Sequence, residues 1–241
     1  MKDDILAMRQ TTDGADQSQD ASADAASGHS LGQPLSLYDQ LSKDYDCTRL
    51  LRIDEANDGD PITCTMSEIP FGDKPKFDAL SYIVRQNLWD ALHYLRKHCP
   101  DTSYWIDAVC INQNDIDERN RQVRIMHHIY FRAQTVVVWL GKTYSQYEAL
   151  VPQLRRLCHM NARIEETTPE STPEPTQTGS SVRDLAVKLC NDAYWKRLWI
   201  IQEIGLAREI KVCFGNCAIE WRQFRQFLVT NGLESEGPMK L

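Results

Sequence analysis

Asp107 is the residue that fits its surroundings least well. It lies in the run of residues 104–111, YWIDAVCI, where its neighbours are apolar or small. A carboxylate is costly to bury unless it is paired or hydrogen-bonded. Asp107 is therefore either a core carboxylate that accepts backbone N–H groups at a strand end or a pocket residue that meets a ligand. In a pocket, a carboxylate can bind hydroxyl groups or stabilise a developing positive charge.

Further polar residues could belong to the same pocket. Ser81 and Tyr82 lie near the end of a predicted strand over residues 77–84, FDALSYIV. Open α/β sheets bind ligands at the carboxyl ends of their strands, so both side chains could line that crevice. Tyr82 could equally be a core residue. Asn112, in a turn-forming Asn-Gln-Asn stretch, fits a loop and a helix cap as well as it fits a ligand contact.

A strand–helix–strand unit would position these residues. The run over 104–111 is followed by a helical pattern over 116–133 and a β-branched strand over 135–140. This order with short joints is typical of a βαβ crossover and of a parallel sheet. Asp115 can cap the helix, with Glu118 reaching back to it in a capping box. The 3.6-residue period predicts that the helix buries Ile116, Val123, Met126, Ile129, Tyr130 and Ala133 and exposes Glu118, Arg119, Arg121, Gln122 and Arg124.

The remaining patterns complete an α/β domain. The central parallel strands are expected over residues 77–82, 104–109 and 135–140. Antiparallel hairpins are expected at the two ends, over 47–53 with 62–69 and over 209–214 with 217–220. Further helices are predicted over 87–99, 147–164, 182–191, 198–207 and 221–229. The predicted fold class is α/β, with a mostly parallel central sheet flanked by helices.

Composition divides the chain into a domain and flanking segments. Residues 1–33 are acidic, rich in Ser, Ala and Gly, and poor in large apolar residues, so this tail is predicted to be disordered. Residues 34–231 form the predicted domain. Within it, residues 165–181 read as a flexible insert rich in Pro, Thr and Glu, and residues 232–241 form a C-terminal tail.

Whole-chain composition excludes several functional classes. The chain has 241 residues and a net charge of −7, and no apolar run approaches the roughly 20 residues that span a membrane. No secretory signal is visible, which predicts a cytoplasmic location. The eight cysteines are scattered, which favours reduced thiols and no metal site. No basic stripe supports nucleic-acid binding, and no glycine-rich phosphate loop or nucleophile motif points to a cofactor.

Three blocks of the sequence resemble one family. They are FDALSY, the long block YWIDAVCINQNDIDERNRQVRIMHHIYFRAQTVVVWLG, and YWKRLWIIQEIGLAREIKVCFGN. Together they resemble the fungal heterokaryon incompatibility (HET) domain over residues 47–221, in the family's order. The resemblance implies a role in non-self recognition in filamentous fungi, where HET domains trigger programmed cell death when incompatible cells fuse. Partners would then be other proteins or further copies of the chain.

The HET family in turn resembles the Toll/interleukin-1 receptor (TIR) fold, a flavodoxin-like α/β sheet. Some TIR domains cleave NAD at the nicotinamide–ribose bond with a glutamate on a helix that begins near a tryptophan. Trp199 and Glu203 stand in a comparable relation here, after the strand that ends in TVVVWLG. The resemblance implies NAD as a substrate and Glu203 as the catalytic residue. The candidate substrate-binding residues are Ser81, Tyr82, Asp107, Asn112 and Trp199.

Glu203 has two interpretations at this point. It is either a structural carboxylate on the helix surface or paired with Arg197 or Arg208, or a catalytic acid in a cleft. Loss of nicotinamide builds positive charge on the ribose, which a carboxylate can stabilise. The helix is expected to pack Leu198, Ile201, Ile204 and Leu206 inward, and Trp199 should share a helix face with Glu203.

The chain departs from the HET pattern after Tyr82. HET domains usually continue with a Trp-Gly pair, a polar loop and a further strand, whereas this chain passes through Ile83-Val84-Arg85-Gln86 directly to Asn87. A segment is thus missing at the carboxyl end of a strand, where ligands bind. Three roles stay open: an enzyme acting on NAD or a related nucleotide, a non-catalytic self-associating signalling module, and an inactive truncated copy.

Overall fold

A computed structural model of the chain describes residues 7–10, 38–43, 46–57, 59–83, 85–160, 178–235 and 237–240. Within these residues, eight strands form one sheet, and seven α-helices surround it. The strands are β1 (Ala7–Gln10), β2 (Cys47–Ile53), β3 (Thr63–Pro70), β4 (Asp78–Ser81), β5 (Ser103–Trp105), β6 (Val136–Gly141), β7 (Ile210–Phe214) and β8 (Cys217–Glu220). The helices are α1 (Arg85–His98), α2 (Asp107–Cys110), α3 (Ile116–Arg132), α4 (Val151–Met160), α5 (Thr178–Cys190), α6 (Ile200–Gly205) and α7 (Trp221–Thr230).

The centre of the sheet is parallel and its two ends are largely antiparallel. The strand order is β1-β3-β2-β5-β4-β6-β7-β8. Strands β5, β4, β6 and β7 run parallel to one another, whereas β2 pairs antiparallel with both β3 and β5, and β7 with β8. The predicted α/β class, the parallel core and both antiparallel hairpins are therefore confirmed. All six residues of β6 are buried, as expected for a strand covered on both faces.

Helices α1 and α3 cover opposite faces of this parallel core. Tyr94 of α1 contacts Trp139 of β6, with ring centroids 4.9 Å apart, whereas Tyr130 of α3 meets Trp105 of β5 edge-on at 5.5 Å. Ser81 pairs with Val138, the residue before Trp139. Because side chains alternate along a strand, Ser81 points toward α3, away from α1. These two sides of the sheet are called the α1 face and the α3 face below.

The predicted strand over 104–109 is shorter than expected. Strand β5 ends at Trp105, and Asp107 begins the short helix α2. The Asp107 carboxylate accepts a hydrogen bond from the Ala108 N–H at 2.7 Å, and the Cys110 thiol sulfur accepts one from the Ile106 N–H at 3.3 Å. These local bonds satisfy backbone donors of the helical turn, so the chain leaves the sheet at this point.

Helix α3 begins where predicted but turns a different face inward. Asp115 caps the helix by accepting from the Glu118 N–H at 2.9 Å. The Glu118 side chain does not complete a capping box, because it lies in the core with Gln122. Ile116 and Val123, which the period predicted to be buried, are 62% and 41% exposed. The prediction was correct for the buried set Met126, Ile129, Tyr130 and Ala133.

A buried ion pair explains the orientation of α3. Arg49 of β2 makes two hydrogen bonds to the Glu118 carboxylate, of 2.5 and 2.9 Å, and the two side chains are 4% and 1% exposed. Glu118 also accepts from the Asn112 N–H at 2.7 Å. Beside this pair, Gln122 accepts from the Thr48 hydroxyl at 2.8 Å. A charge removed from water must be paired, so this requirement overrides the apolar period of the helix.

Segments outside the domain core are described only in part. Ala7–Gln10 forms β1 and pairs parallel with β3, within the tail that composition predicts to be disordered. The rest of the predicted tail over 1–33 lies outside the described residues, as do residues 165–177 of the predicted insert over 165–181. The helix predicted over 182–191 begins earlier, at Thr178.

Helix length and the state of the cysteines can be read from the described residues. Within the described ranges, no helix is both long enough and apolar enough to cross a membrane. Seven cysteines with described side chains are free, and burial raises the pKa of the Cys110 and Cys213 thiols to about 12. In the same part of the chain, no three His, Cys, Asp or Glu side chains come together as a metal site requires.

The Arg49–Glu118 pair predicts a large loss of stability when it is broken. We expect Glu118→Ala to lower the free energy of unfolding by about 3–5 kcal/mol, because it leaves the Arg49 guanidinium buried without its counter-charge. Asp101→Ala is the matched control, since it breaks an exposed ion pair with Arg52 (3.4 Å, side chains 83% and 61% exposed) and should cost less than about 1 kcal/mol. Urea denaturation of both variants measures the difference, and equal losses would contradict the assignment.

Candidate functional site

Ser81 occupies the point of the sheet where ligands of α/β proteins commonly bind. It is the last residue of β4, which lies between β5 and β6. The connection from β4 to β5 runs through α1 on one face, and the connection from β5 to β6 runs through α3 on the other. Connections that leave in opposite directions open a crevice at the carboxyl ends of the strands. Ser81 is buried at this crevice on the α3 face.

A bidentate ion pair lies directly against Ser81. Arg197 Nη1 donates to Glu203 Oε2 at 2.8 Å, and Arg197 Nη2 donates to Glu203 Oε1 at 2.9 Å. Glu203 is buried, with its side chain 3% exposed, whereas the Arg197 side chain is 23% exposed. Planar two-point pairing of this kind is the strong form of the arginine–carboxylate contact. The carboxylate is therefore held in place by a guanidinium that water can still reach.

The Ser81 hydroxyl joins this pair to Tyr194. It donates to Glu203 Oε2, accepts from Arg197 Nη1 at 3.0 Å, and lies 2.5 Å from the Tyr194 hydroxyl. A serine hydroxyl has one proton and two lone pairs. Since the proton goes to Glu203, Tyr194 is the donor in the last contact, and the hydroxyl of Ser81 has no lone pair left. These four side chains are called the Ser81–Glu203 cluster.

Burial and charge fix the protonation of the groups around Glu203. Burial, and then the Glu203 charge, raise the pKa of Tyr194, which keeps its hydroxyl protonated as a donor. Burial also raises the pKa of Tyr130 of α3, followed by the charges of Glu203 and Asp107. Burial lowers the pKa of Arg197, but the Glu203 charge and the other groups around the guanidinium together raise it by more, so the net shift is upward and the guanidinium stays charged.

Asp107 and Tyr82 form a second, smaller contact at the same edge of the sheet. The Tyr82 hydroxyl donates to Asp107 Oδ1 at 2.9 Å. Burial, and then the Asp107 charge and this hydrogen bond, raise the pKa of Tyr82. Asp107 is thus a satisfied carboxylate at the start of α2, which is one of its two predicted interpretations. It remains half-buried at the edge of the crevice.

Among the described contacts, the side chains of the other two predicted substrate-binding residues make no hydrogen bond to the cluster. Asn112 accepts from the Asn114 N–H at 3.1 Å through its side chain, and its own N–H bonds to Glu118. It therefore serves the turn between α2 and α3. Trp199 precedes α6, its carbonyl accepts from the Glu203 N–H at 3.3 Å, and its side chain is 48% exposed.

Helix α6 turns a face inward that differs from the predicted one. Ile200, Glu203 and Ile204 are buried, whereas Leu198 and Ile201 are 83% and 67% exposed. The prediction that Leu198, Ile201 and Leu206 pack inward is wrong, and the one for Ile204 is right. The reason is the same as for α3, because burying the paired Glu203 carboxylate rotates the helix.

Sequence reasoning did not place Tyr194 in this site and considered Arg197 only as a structural partner of Glu203. A six-residue separation between Arg197 and Glu203 is not a helical contact spacing, so no periodic pattern signals their pairing. A tight turn over Ala193–Lys196 and an extended Arg197 bring the guanidinium back over α6. The turn itself is set by Asp192, whose carboxylate accepts from the Tyr194 N–H at 2.8 Å.

The cluster is closed as it stands. Four cavities of about 290 to 560 Å³ are lined by described residues, and none of these four is bordered by Ser81, Arg197 or Glu203. Each Glu203 oxygen already accepts from Arg197.

Comparison with known sequences identifies the family. The profile of the family described as "Heterokaryon incompatibility protein (HET)" matches residues 61–203, more than half of the chain. The chain therefore belongs to the HET family, as its sequence blocks predict. The matched region extends from just before β3 to Glu203 itself, and it contains Ser81, Arg197 and Tyr194.

A curated relative is heterokaryon incompatibility protein 6, OR allele, of Neurospora crassa. It is 54% identical to this chain over 50 residues. That segment is 21% of this chain and 7% of the N. crassa protein, so the match spans a small part of the relative. No solved structure matches the chain.

The cluster predicts a measurable contribution to stability. We expect Glu203→Ala to lower the free energy of unfolding by about 1–3 kcal/mol, the range for leaving buried polar partners unsatisfied. The loss should be smaller than for Glu118→Ala, because water can reach Arg197. Exposed Glu55→Ala is the control and should change stability by less than about 0.5 kcal/mol. A Glu203→Ala loss no larger than that of the control, measured by urea denaturation, would show that the cluster is not formed.

Proposed function

We propose that this chain acts in fungal heterokaryon incompatibility, as a non-self recognition module whose activation leads to programmed cell death. Membership of the HET family supports this role, as does the similarity to the N. crassa incompatibility protein. The match covers 7% of that protein, so the proposal does not draw on the properties of the rest of the relative.

We further propose that the chemical step is cleavage of NAD or a related nucleotide at the Ser81–Glu203 cluster. The observation that carries this proposal is a buried carboxylate, Glu203, bonded to the last residue of a central parallel strand. When nicotinamide departs from the ribose, positive charge develops at the anomeric carbon. A carboxylate held in a site of low dielectric stabilises that charge strongly. Nicotinamide leaves as a neutral group with the electron pair of the glycosidic bond, so no second acid is needed. Water then adds to the anomeric carbon and loses a proton to solvent, which completes the hydrolysis.

The other residues of the cluster supply positioning. Arg197 would leave Glu203 when substrate enters and bind the pyrophosphate, for which a guanidinium is well suited. The half-exposed Trp199 indole offers a flat apolar surface for a base. Asp107, beside Tyr82 at the same sheet edge, can accept from ribose hydroxyls. Once substrate has displaced the guanidinium, the Glu203 charge is available to the cationic transition state.

The strand order supports a relation to flavodoxin-like sheets. Numbered from β4, the order β5-β4-β6-β7 reads 2-1-3-4, which is the order of that fold, and its ligands bind between strands 1 and 3. Here those strands are β4 and β6, and Ser81 is the last residue of β4. On the basis of this strand order, we propose a TIR-like fold.

Turnover of NAD by the purified chain tests the catalytic proposal. We expect Glu203→Gln to abolish cleavage while the chain stays folded, because the amide keeps the size of the side chain and removes its charge. Glu55→Gln removes an exposed charge of the same type and should keep full activity. Nicotinamide release is measured by chromatography, with circular dichroism as the check on folding. Equal turnover in wild type and Glu203→Gln, or none in either, rejects the proposal.

An alternative is a non-catalytic module that works by self-association, and one observation favours it. Three of the most exposed large apolar side chains are Leu198, Ile201 and Phe131. Leu198 lies just before α6, Ile201 lies on α6, and Phe131 lies near the end of α3. Helices α3 and α6 contact each other, so these side chains belong to neighbouring elements. Contiguous exposed apolar surface commonly marks a protein interface. The direct passage from Tyr82 to α1, without the usual family segment, also favours a role without catalysis.

Expression in a fungal host separates the two roles. If self-association kills the cell, Ile201→Asp should abolish killing and lower the apparent molar mass in light scattering, because it places a charge in the interface. Val187→Asp is the matched control, since Val187 is 37% exposed on α5, away from this surface. Killing by Glu203→Gln but not by Ile201→Asp supports the module, and the reverse pattern supports the enzyme. Killing by both variants excludes both mechanisms.

A further inference from the structure

The exposed apolar side chains of the protein are concentrated in two neighbouring elements. Among the described residues, eight large apolar side chains are exposed, and all but Val187 lie on α3 or in the segment 198–206 that contains α6. The seven are Ile116, Val123 and Phe131 on α3, and Leu198, Trp199, Ile201 and Leu206 in the segment. Leu198 and Ile201 protrude most, at 83% and 67% exposure. Single exposed apolar residues are normal, but a concentration of this kind marks an interaction surface.

Helices α3 and α6 contact each other on the α3 face of the sheet. Glu203 of α6 bonds to Ser81, which points toward α3. Just beyond the end of α6, the Arg208 guanidinium lies 5.5 Å from the centre of the Phe131 ring of α3, so an exposed cation adjoins the apolar set. The outward sides of α3 and of the segment 196–209 are called the α3–α6 surface.

The α3–α6 surface reverses the sign of the charge of the chain. Helix α3 and the segment 196–209 contain seven Arg or Lys and four Asp or Glu, a net charge of +3, whereas the whole chain carries −7. Two of the four carboxylates, Glu118 and Glu203, are buried in ion pairs and do not reach the surface. Asp117 and Glu209 are exposed. The exposed cations are Arg119, Arg124, Arg132, Lys196 and Arg208.

Protruding apolar side chains beside cations fit the surface of an anionic lipid bilayer. Proteins that lie on a membrane insert Leu, Phe and Trp side chains at the boundary of headgroups and acyl chains, and their Lys and Arg side chains meet the anionic headgroups. Trp199 is 48% exposed, and an indole suits this boundary because it is apolar with one polar N–H. None of the four cavities is lined by Leu198, Ile201 or Phe131, so these side chains project outward.

A second copy of the chain fits the charge of this surface less well. In a two-fold contact, the same patch of both copies meets itself. The excess positive charges of two α3–α6 surfaces would then face each other, and like charges across an interface cost free energy. An anionic bilayer offers the opposite charge to the same apolar side chains.

We propose that the α3–α6 surface binds the surface of a membrane that contains anionic phospholipid. Leu198, Ile201 and Phe131 enter the headgroup region, and Arg124 and Arg208 meet the lipid anions. The contact is peripheral and reversible, since it uses side chains of folded helices. It is independent of NAD cleavage, because it leaves the buried Glu203 carboxylate unused.

Co-sedimentation of the purified full chain with lipid vesicles tests the proposal. Vesicles of phosphatidylcholine with about one third phosphatidylserine should bind the chain about tenfold or more tightly than pure phosphatidylcholine vesicles, because each cation near the surface adds attraction to anionic lipid. Raising NaCl to about 1 M should weaken this binding, since salt screens exposed charges. Free O-phosphoserine should not displace the chain, because it offers no bilayer to the apolar side chains.

Matched substitutions locate the contact. Arg124→Gln should weaken binding to the phosphatidylserine vesicles about fivefold. Lys97→Gln removes an exposed lysine of α1, on the opposite face of the sheet, and should leave binding unchanged. Ile201→Asp should abolish binding, whereas Val187→Asp on α5 should not. Circular dichroism should show all four variants folded, because each substitution is at an exposed position.

Four results would overturn the proposal. They are equal binding to both kinds of vesicle, no binding to either, unchanged binding by Ile201→Asp, and a lipid-free molar mass above that of the monomer that falls in Ile201→Asp. The last result assigns the surface to a second copy. Vesicle binding is measured without NAD, so failure here and failure of the catalytic proposal can be told apart.

Discussion

A carboxylate that leaves water must take a counter-charge with it, and this requirement shapes the α3 face of the protein. Glu118 and Glu203 are both buried there, and each is held by both terminal nitrogens of an arginine, Arg49 and Arg197. The free-energy cost of desolvating an unpaired charge exceeds the free energy gained by burying one more aliphatic side chain. Pairing of the charge therefore decides the orientation of the helix, and the apolar period does not. As a result α3 leaves Ile116 exposed and α6 leaves Ile201 exposed.

The two ion pairs differ in how much water reaches them. Arg49 is 4% exposed and also donates to the carbonyls of Asp39 and Cys110, so its position is fixed from several sides. Arg197 is 23% exposed, and its donor contacts are confined to the Ser81–Glu203 cluster. The first pair therefore locks α3 onto β2. The second pair holds a buried carboxylate under a guanidinium that water can reach.

A close contact at the end of β6 fixes helix α1 against the sheet. Both faces meet at the ends of β4 and β6, where Gly141 has a positive φ of 119° and a side chain on it would meet Asn87 Oδ1 at 3.3 Å. Asn87 in turn accepts from Trp139 Nε1 at 2.8 Å. The α1 helix is thus fastened against the end of β6 by a glycine and an asparagine. Asn87 and Gly141 both line the cavity at the end of β6.

The sequence by itself determined the elements that depend on local signals. The β-branched run of β6, the Asp115 cap of α3 and the turn between β7 and β8 act over a few residues, so strand, helix start and hairpin are readable from the chain. The long central block was specific enough to identify the family. The α/β class followed from the alternation of these elements.

Tertiary structure decided which helix faces turn inward and which side chains meet. Arg49 and Glu118 are separated by 69 residues, and Ser81 and Glu203 by 122, so no local pattern encodes either contact. Asp107 left the predicted strand because local backbone hydrogen bonds at α2 were available once β5 had ended. The cavity between α1 and the loops after β6 and β7 likewise joins the helix to residues about fifty and more than one hundred positions away, which become neighbours only when the sheet brings β6 and β7 beneath the helix. Long-range pairing of charges is a property of the folded chain, because its energy depends on the water excluded by everything around it.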